Sequence, residues 1–94
     1  MEVSKVLIKN LNKIIGLNFY PVKECETSNK KHRPLGLGVQ GLADVYNKMR
    51  IAFDSDEAKQ LNKEIFATIY YSSLEKANKI ASKYGSYDSF ENSP

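Results

Sequence analysis

Residues 33–44, Arg33-Pro34-Leu35-Gly36-Leu37-Gly38-Val39-Gln40-Gly41-Leu42-Ala43-Asp44, constrain the fold of this chain more than any other stretch. Leu35, Leu37 and Val39 alternate with Gly36, Gly38 and Gln40, which is the side-chain period of a strand. From Gly41 onward Leu42, Val45, Tyr46 and Met49 fall at helical spacing. The pattern predicts a strand near 34–40 running into a helix near 42–50. Pro34 stands at the strand's first residue, where no ladder donor is required. Two glycines on one face leave it nearly flat, so another backbone, a helix or a ligand can approach closely. A single strand cannot satisfy its own backbone donors and acceptors. It pairs with a copy of itself, or it belongs to a larger sheet.

Gly36-Leu37-Gly38-Val39-Gln40-Gly41 also reads as G-x-G-x-x-G, the dinucleotide-binding pattern. The context argues against it. That motif follows an apolar strand, whereas Lys30-Lys31-His32-Arg33-Pro34 precedes the first glycine here. It also needs an acidic residue closing a second strand about 20 residues on. Asp54, Asp56 and Glu57 instead open a helix. A free-standing nucleotide-binding domain therefore rests on the glycines alone, and tight packing in a sheet is the better reading.

The rest of the chain reads as helix and loop. Val3, Val6, Leu7, Leu11, Ile14 and Ile15 follow the i, i+3, i+4 pattern, predicting a helix near 3–15 with Lys5, Lys9, Asn12 and Lys13 on its opposite face. Gly16 suits a left-handed residue just past that helix, and Leu17 suits a fold back onto the last turn. Asn18-Phe19-Tyr20-Pro21 is extended, because proline disfavours helical angles in the residue before it. Val22 to Lys31 is polar and reads as a surface loop carrying Cys25. Asp54 is the expected N-cap of a long helix near 55–84, with Glu57 completing a capping box and Phe53 as the apolar residue before the cap. Ala58, Leu61, Ile65, Ile69 and Ser72 mark its inner stripe, widened by Phe66, Tyr70, Ala77, Ile80, Ala81 and Tyr84, and Gly85 closes it. Ser86 to Pro94 reads as an extended tail that needs something to pack against.

Candidate chemistry is sparse. With 94 residues there is room for one domain. One cysteine excludes an internal disulfide framework and fits a reducing compartment. Cys25 has no second cysteine at metal or redox spacing, so neither a metal nor a redox site is expected. His32, the sole histidine, sits among like charges with no paired carboxylate at helical or turn spacing. Tyr70-Tyr71 is read as one core residue and one rim residue. A net charge of +3, clustered at Lys30, Lys31, His32 and Arg33 without interleaved aromatics, does not make a nucleic-acid platform. No apolar run approaches the ~20 residues of a membrane span, and the amino terminus has no signal-peptide core. No catalytic constellation is expected in the chain.

At Asn10-Leu11-Asn12-Lys13-Ile14-Ile15, Ser28-Asn29-Lys30-Lys31-His32-Arg33-Pro34 and Gly36 to Asp44, the sequence closely resembles the large, catalytic subunit family of class I ribonucleotide reductase. The likeness continues through Phe53-Asp54-Ser55, Leu61-Asn62-Lys63-Glu64-Ile65-Phe66, Thr68-Ile69-Tyr70-Tyr71, Leu74-Glu75 and Ser93-Pro94. It covers essentially the whole chain, with blocks in the family's order, and is strongest toward the eukaryotic and eukaryotic-virus branch.

The resemblance implies an α/β class, in which residues 1–94 are an incomplete internal segment of a ten-stranded α/β barrel and residues 34–40 are one stave. It implies a cytoplasmic oxidoreductase that reduces ribonucleoside diphosphates to deoxyribonucleotides for DNA synthesis by a thiyl-radical mechanism. Nucleoside triphosphates, ATP among them, are the implied allosteric effectors, and a metal-containing small subunit is the implied source of the radical. The remainder of the large subunit is the other implied partner. The family's radical cysteine, in an Asn-x-Cys-x-Glu arrangement, and its two redox cysteines are expected upstream of Met1. Cys25 matches none of them, and Tyr70-Tyr71 is not the family's relay pair. On this reading the chain carries no catalytic residue. Gly36, Gly38, Gln40 and Gly41 are the substrate-proximal candidates, because the carboxyl ends of barrel strands face the site. The contrasting expectation is a non-catalytic fragment that binds a reductase subunit or self-associates through its strand edge.

Overall fold

The computed structural model describes residues 1–93. It contains four helices: α1 (Glu2–Leu17), α2 (Lys23–His32), α3 (Leu42–Met49) and α4 (Asp56–Tyr84). The 29 residues of α4 span about 43 Å and account for most of the 49 Å long dimension of the molecule. Helix α1 packs along α4, and α2 packs more lightly on α1.

No strand forms among the described residues, which corrects the strand expected near 34–40. A ladder needs a partner, and nothing among the described residues offers residues 34–40 a second backbone to pair with. The described residues are therefore helical, with an unpaired segment at 34–40 between α2 and α3.

The packing of α1 also differs from its sequence pattern. Ser4, Ile8 and Ile15 are buried and Leu11 is half-buried, while Val3, Val6, Leu7 and Ile14 are exposed, Val3 at 73 %. Both stripes are apolar, so periodicity alone does not select the one that meets α4. The small Ser4 and the fully enclosed Ser72 (0 % exposed) allow close approach of the two helices. The Ser72 hydroxyl donates back to the carbonyls of Thr68 and Ile69 and so enters the interface satisfied. Lys5 Nζ reaches Glu75 Oε2 at 2.8 Å across the same interface, so the polar face assigned to Lys5 is partly interfacial. Gly16 continues the helix rather than ending it. The cap is Asn18, extended at φ −67° and ψ 148°, and Leu17 stays 84 % exposed.

The polar run after Pro21 is a helix, α2, not a loop, and Cys25 lies exposed on it. It escapes apolar periodicity because neither of its faces is buried. Local charge holds it instead. Glu26 accepts from Lys23 at 3.0 Å and from Lys30 at 2.6 Å. Glu24 and Glu26 lie in its first turn and Lys30, Lys31 and His32 in its last, the order the helix dipole favours.

A compact corner forms around the start of α4. Tyr46 of α3, Ile51 and Ala58 are buried together, with Leu42 and Leu61 packed against them. The Tyr46 hydroxyl donates to the Ala58 carbonyl at 3.2 Å, and its ring meets Phe53 edge-on with centroids 6.3 Å apart. The N-cap of α4 is Ser55, one residue beyond the expected Asp54. Its Oγ accepts from the Ala58 N–H at 3.1 Å and donates to the Ala52 carbonyl at 2.6 Å. A carboxylate cannot play both parts. With Ser55 as cap, Ala58 takes the position that a capping box gives to Glu or Gln, so Glu57 completes no box.

Of the expected inner stripe of α4, Ala58 and Ser72 are buried and Leu61, Ile65 and Ile69 half-buried. Phe66, Ala77 and Tyr84 are exposed, and so are Tyr70 and Tyr71, of which neither is core. Gly85 closes the helix at φ 85°. The tail packs on the end of α2: the Ser89 N–H donates to the Lys31 carbonyl at 3.4 Å, and His32 Nδ1 lies 2.7 Å from Ser89 Oγ. The Tyr87 and Phe90 rings meet edge-on. Of the closing Ser93-Pro94 pair, Pro94 lies outside the described residues.

The accessible surface is 7581 Å², where a compact monomer of 10.7 kDa exposes about 5,500 Å². The radius of gyration is 16.9 Å against about 12 Å for a compact chain of this length. The excess, roughly 2,000 Å², matches what one side of a large obligate interface gives up.

Candidate functional site

The sequence-predicted site residues lie together on one connected segment between α2 and α3. Gly36, Gly38, Gln40 and Gly41 are all exposed, and Leu37 is half-buried. A Cβ built on Gly36 or Gly38 meets nothing within 4 Å. Their flat face is therefore open within this chain rather than pressed against another element. Gly41 differs. It caps α3 at φ 81°, a region L side chains rarely adopt, and an added Cβ would stand 3.5 Å from Asp44 Oδ2.

What holds this segment is Arg33, the residue immediately before Pro34. Arg33 Nε donates to Asn12 Oδ1 at 3.0 Å, and its Nη2 donates to the same oxygen at 2.9 Å and to the Asn12 carbonyl at 2.6 Å. Both residues are half-buried. Arg33 also caps α2 in the left-handed region, at φ 43° and ψ 49°. That backbone state is uncommon for a residue with a Cβ, and the residue before a proline prefers extended angles. Sequence reading missed this pair, placing Asn12 on a solvated face and Arg33 in a basic cluster. The one signal for it was an arginine at a pre-proline position between a polar stretch and a strand-like one.

The segment gathers no acid–base machinery. Among the described residues there is no group of three or more His, Cys, Asp and Glu side chains placed to hold a metal ion. Two surface depressions among the described residues lie elsewhere: one is lined by Lys23, Glu26, Lys30 and Asp88, the other by Met49, Ile51, Glu57 and Leu61. The shifted carboxyls are structural. Hydrogen bonds from Lys5 and then Lys79 hold Glu75 down to about 2, and the Glu75 partner in turn raises Lys5. Hydrogen bonds from Lys30 and then Lys23 hold Glu26 down to about 2. The site is thus a positioned, open backbone segment that can line a cavity but cannot carry out chemistry unaided.

The profile of the ribonucleotide reductase barrel domain matches residues 1–94. The chain belongs to this family. It is similar to the ribonucleoside-diphosphate reductase large subunit of Danio rerio, at 56 % identity over 93 residues. It is also similar to large chain 2 of Saccharomyces cerevisiae, at 54 % over 93 residues, each alignment covering 99 % of this chain. The large subunit of monkeypox virus is 56 % identical over 89 residues, 95 % of the chain. The chain spans only 11–12 % of the length of these relatives. Membership in a reductase barrel family accounts for an α/β origin in a chain whose described residues are helical and whose one strand-like segment has no partner. None of the described helices is long and apolar enough to cross a membrane.

Proposed function

We propose that this chain is an internal segment of the barrel domain of a class I ribonucleoside-diphosphate reductase large subunit. The enzyme of which it forms part reduces ribonucleoside diphosphates to deoxyribonucleoside diphosphates for DNA synthesis in the cytoplasm. Residues 34–40 supply one stave of the ten-stranded barrel, pairing with strands from the remainder of the subunit. Gly36, Gly38, Gln40 and Gly41 line the substrate end of that stave, where the absence of side chains on the glycines lets a nucleotide lie against backbone. The radical reaches the site from a metal-containing small subunit, and nucleoside triphosphates regulate the whole. The carrying observation is similarity to reductase large subunits that runs through the entire chain, including the open glycine segment.

The 94-residue chain alone is inactive on this reading, because its one cysteine, Cys25, leaves it without a redox pair. The test is turnover of a ribonucleoside diphosphate by the full-length polypeptide containing these residues, together with its small subunit, beside the isolated chain. Turnover by the long form alone supports the proposal. Turnover by neither form overturns it.

One observation favours a second reading, in which the chain acts as a non-catalytic fragment that docks on a reductase subunit or on itself. The surface excess of roughly 2,000 Å² is accompanied by exposed Val3, Leu17, Phe19 and Phe53. Sedimentation of the isolated chain as a defined dimer, or as a stable complex with a large subunit, would favour that reading over an incomplete segment.

A further inference from the structure

We propose that Arg33 is a positioning residue for the glycine segment, fixing residues 34–41 to α1 through its guanidinium fork on Asn12. The inference rests on the reading of Gly36, Gly38, Gln40 and Gly41 as substrate-proximal. Two independent features of the structure carry it. The first is the three-bond clamp, in which one planar guanidinium grips both the side-chain oxygen and the backbone carbonyl of Asn12. The second is that Arg33 keeps a left-handed backbone directly before a proline, at φ 43°. Strain of that kind persists only where the surroundings over-determine it, and here the clamp does so.

The geometry gives the clamp a consequence for the site. Beyond Pro34 the chain has few internal contacts: Gly36 and Gly38 face open space, and Leu35, Val39 and Gln40 are exposed. The segment's two fixed ends are Arg33 on α1 and the capping Gly41 of α3. Releasing the Arg33 fork leaves that end of the segment tied by the backbone cap of α2 alone, where the Arg33 N–H donates to the Asn29 carbonyl at 2.8 Å. A displacement of about 1 Å at a reacting centre is enough to lower a rate by some 10²-fold.

The competing role for Arg33 is simply to end α2. The two roles separate cleanly, because glycine is the preferred residue for a left-handed helix end. If Arg33 only caps α2, Arg33→Gly relieves the backbone and leaves function intact. If Arg33 positions the segment, Arg33→Gly removes the fork and function suffers although the backbone is relaxed. Arg33→Lys keeps the charge but not the planar fork, and it should fail in the same way.

The experiment uses the full-length large subunit with its small subunit. It compares parent, Arg33→Gly, Arg33→Lys and Asn12→Ala in three measurements: kcat and KM for a ribonucleoside diphosphate, the melting temperature, and amide exchange at residues 35–41. Expected for the two Arg33 variants is a fall in kcat/KM of about tenfold or more, faster exchange confined to 35–41, and little change in melting temperature for Arg33→Gly. Asn12→Ala, which keeps the backbone carbonyl that Arg33 Nη2 reaches at 2.6 Å, should reproduce part of the loss, and combining it with Arg33→Gly should add nothing further. Unchanged exchange at 35–41 overturns the clamp itself. Faster exchange with parental kcat and KM overturns its role in the reaction, together with the substrate-proximal reading. A parent without turnover removes the functional reading, and exchange alone then decides the clamp.

Discussion

The corner around Tyr46, Ile51 and Ala58 and the glycine segment 34–41 are neighbours along the chain, yet they are completed in different ways. The corner closes on itself. Its buried side chains come from α3, the short turn after it and the first turn of α4. Its one buried hydroxyl finds an acceptor twelve residues away, and Ser55 satisfies the helix start with both halves of its hydroxyl. The glycine segment has nothing comparable: no ladder, no Cβ contact at Gly36 or Gly38, and anchors only at its ends. Local sequence is enough to finish a corner. A strand is finished only by another strand, and the described residues contain none.

The self-sufficiency of the corner rests most heavily on Tyr46. Tyr46→Ala removes a buried ring, its hydrogen bond and its edge contact with Phe53, and should destabilise by about 3–4 kcal/mol. The loss read by urea unfolding should be similar in the 94-residue chain and in the full-length subunit, since the corner needs no outside partner. A loss below about 1 kcal/mol in the short chain would show that its corner is not formed there. Ser55→Ala, which strips the α4 cap, should cost about 1 kcal/mol by the same measurement, and no loss would return the cap to Asp54.

Acid sharpens the comparison at a third place, the α1–α4 interface. Glu75 titrates near 2 in the folded chain because Lys5 and Lys79 hold its anionic form, whereas an unfolded glutamate titrates at about 4.3. Its folded pKa is the lower of the two, so its contribution is present above the unfolded value and is lost as pH falls from there toward 2. The protection of α1 amides relative to their intrinsic exchange rate should therefore fall across that window, and the corner should be spared. In Glu75→Gln the pH step in α1 should disappear, and its persistence would remove Glu75 as the tether. The smallest effect is expected at Gly38. With open space around it, Gly38→Val should change the stability of the isolated chain by no more than about 0.5 kcal/mol. The same substitution in the full-length subunit should lower activity if the proposed stave packs there against a neighbour. Equal indifference in both forms would leave the segment without a packed partner.

The sequence made the long helix, its inner stripe and its closing glycine readable, because one period runs uninterrupted from Ala58 to Ser72 and Gly85 takes a positive φ. Helix α3 was readable for the same reason. Helix α2 was not, since a helix held by Glu26 between two lysines buries nothing and leaves no apolar period. The inward face of α1 was ambiguous because Val3, Leu7 and Ile14 are as apolar as Ile8, Leu11 and Ile15, and only tertiary contact separates them. The strand pattern at 34–40 is present in the residues but unrealised, since pairing is a property of two chain segments. At the candidate site the glycines were legible from alternation. The Arg33–Asn12 pair was not, because 21 residues separate its members and neither one stands out alone.

The span of the stabilising contacts also sets an order of assembly on the ribosome. Tyr46 meets Ala58 twelve residues on, so the corner can close soon after the start of α4 emerges. Lys5 must wait for Glu75, with a loop of that size to close first, which is slow compared with local closure. During that wait the apolar faces of α1, with Phe19 beside them, stand in water. A nascent chain in this condition is a natural client for holdase chaperones.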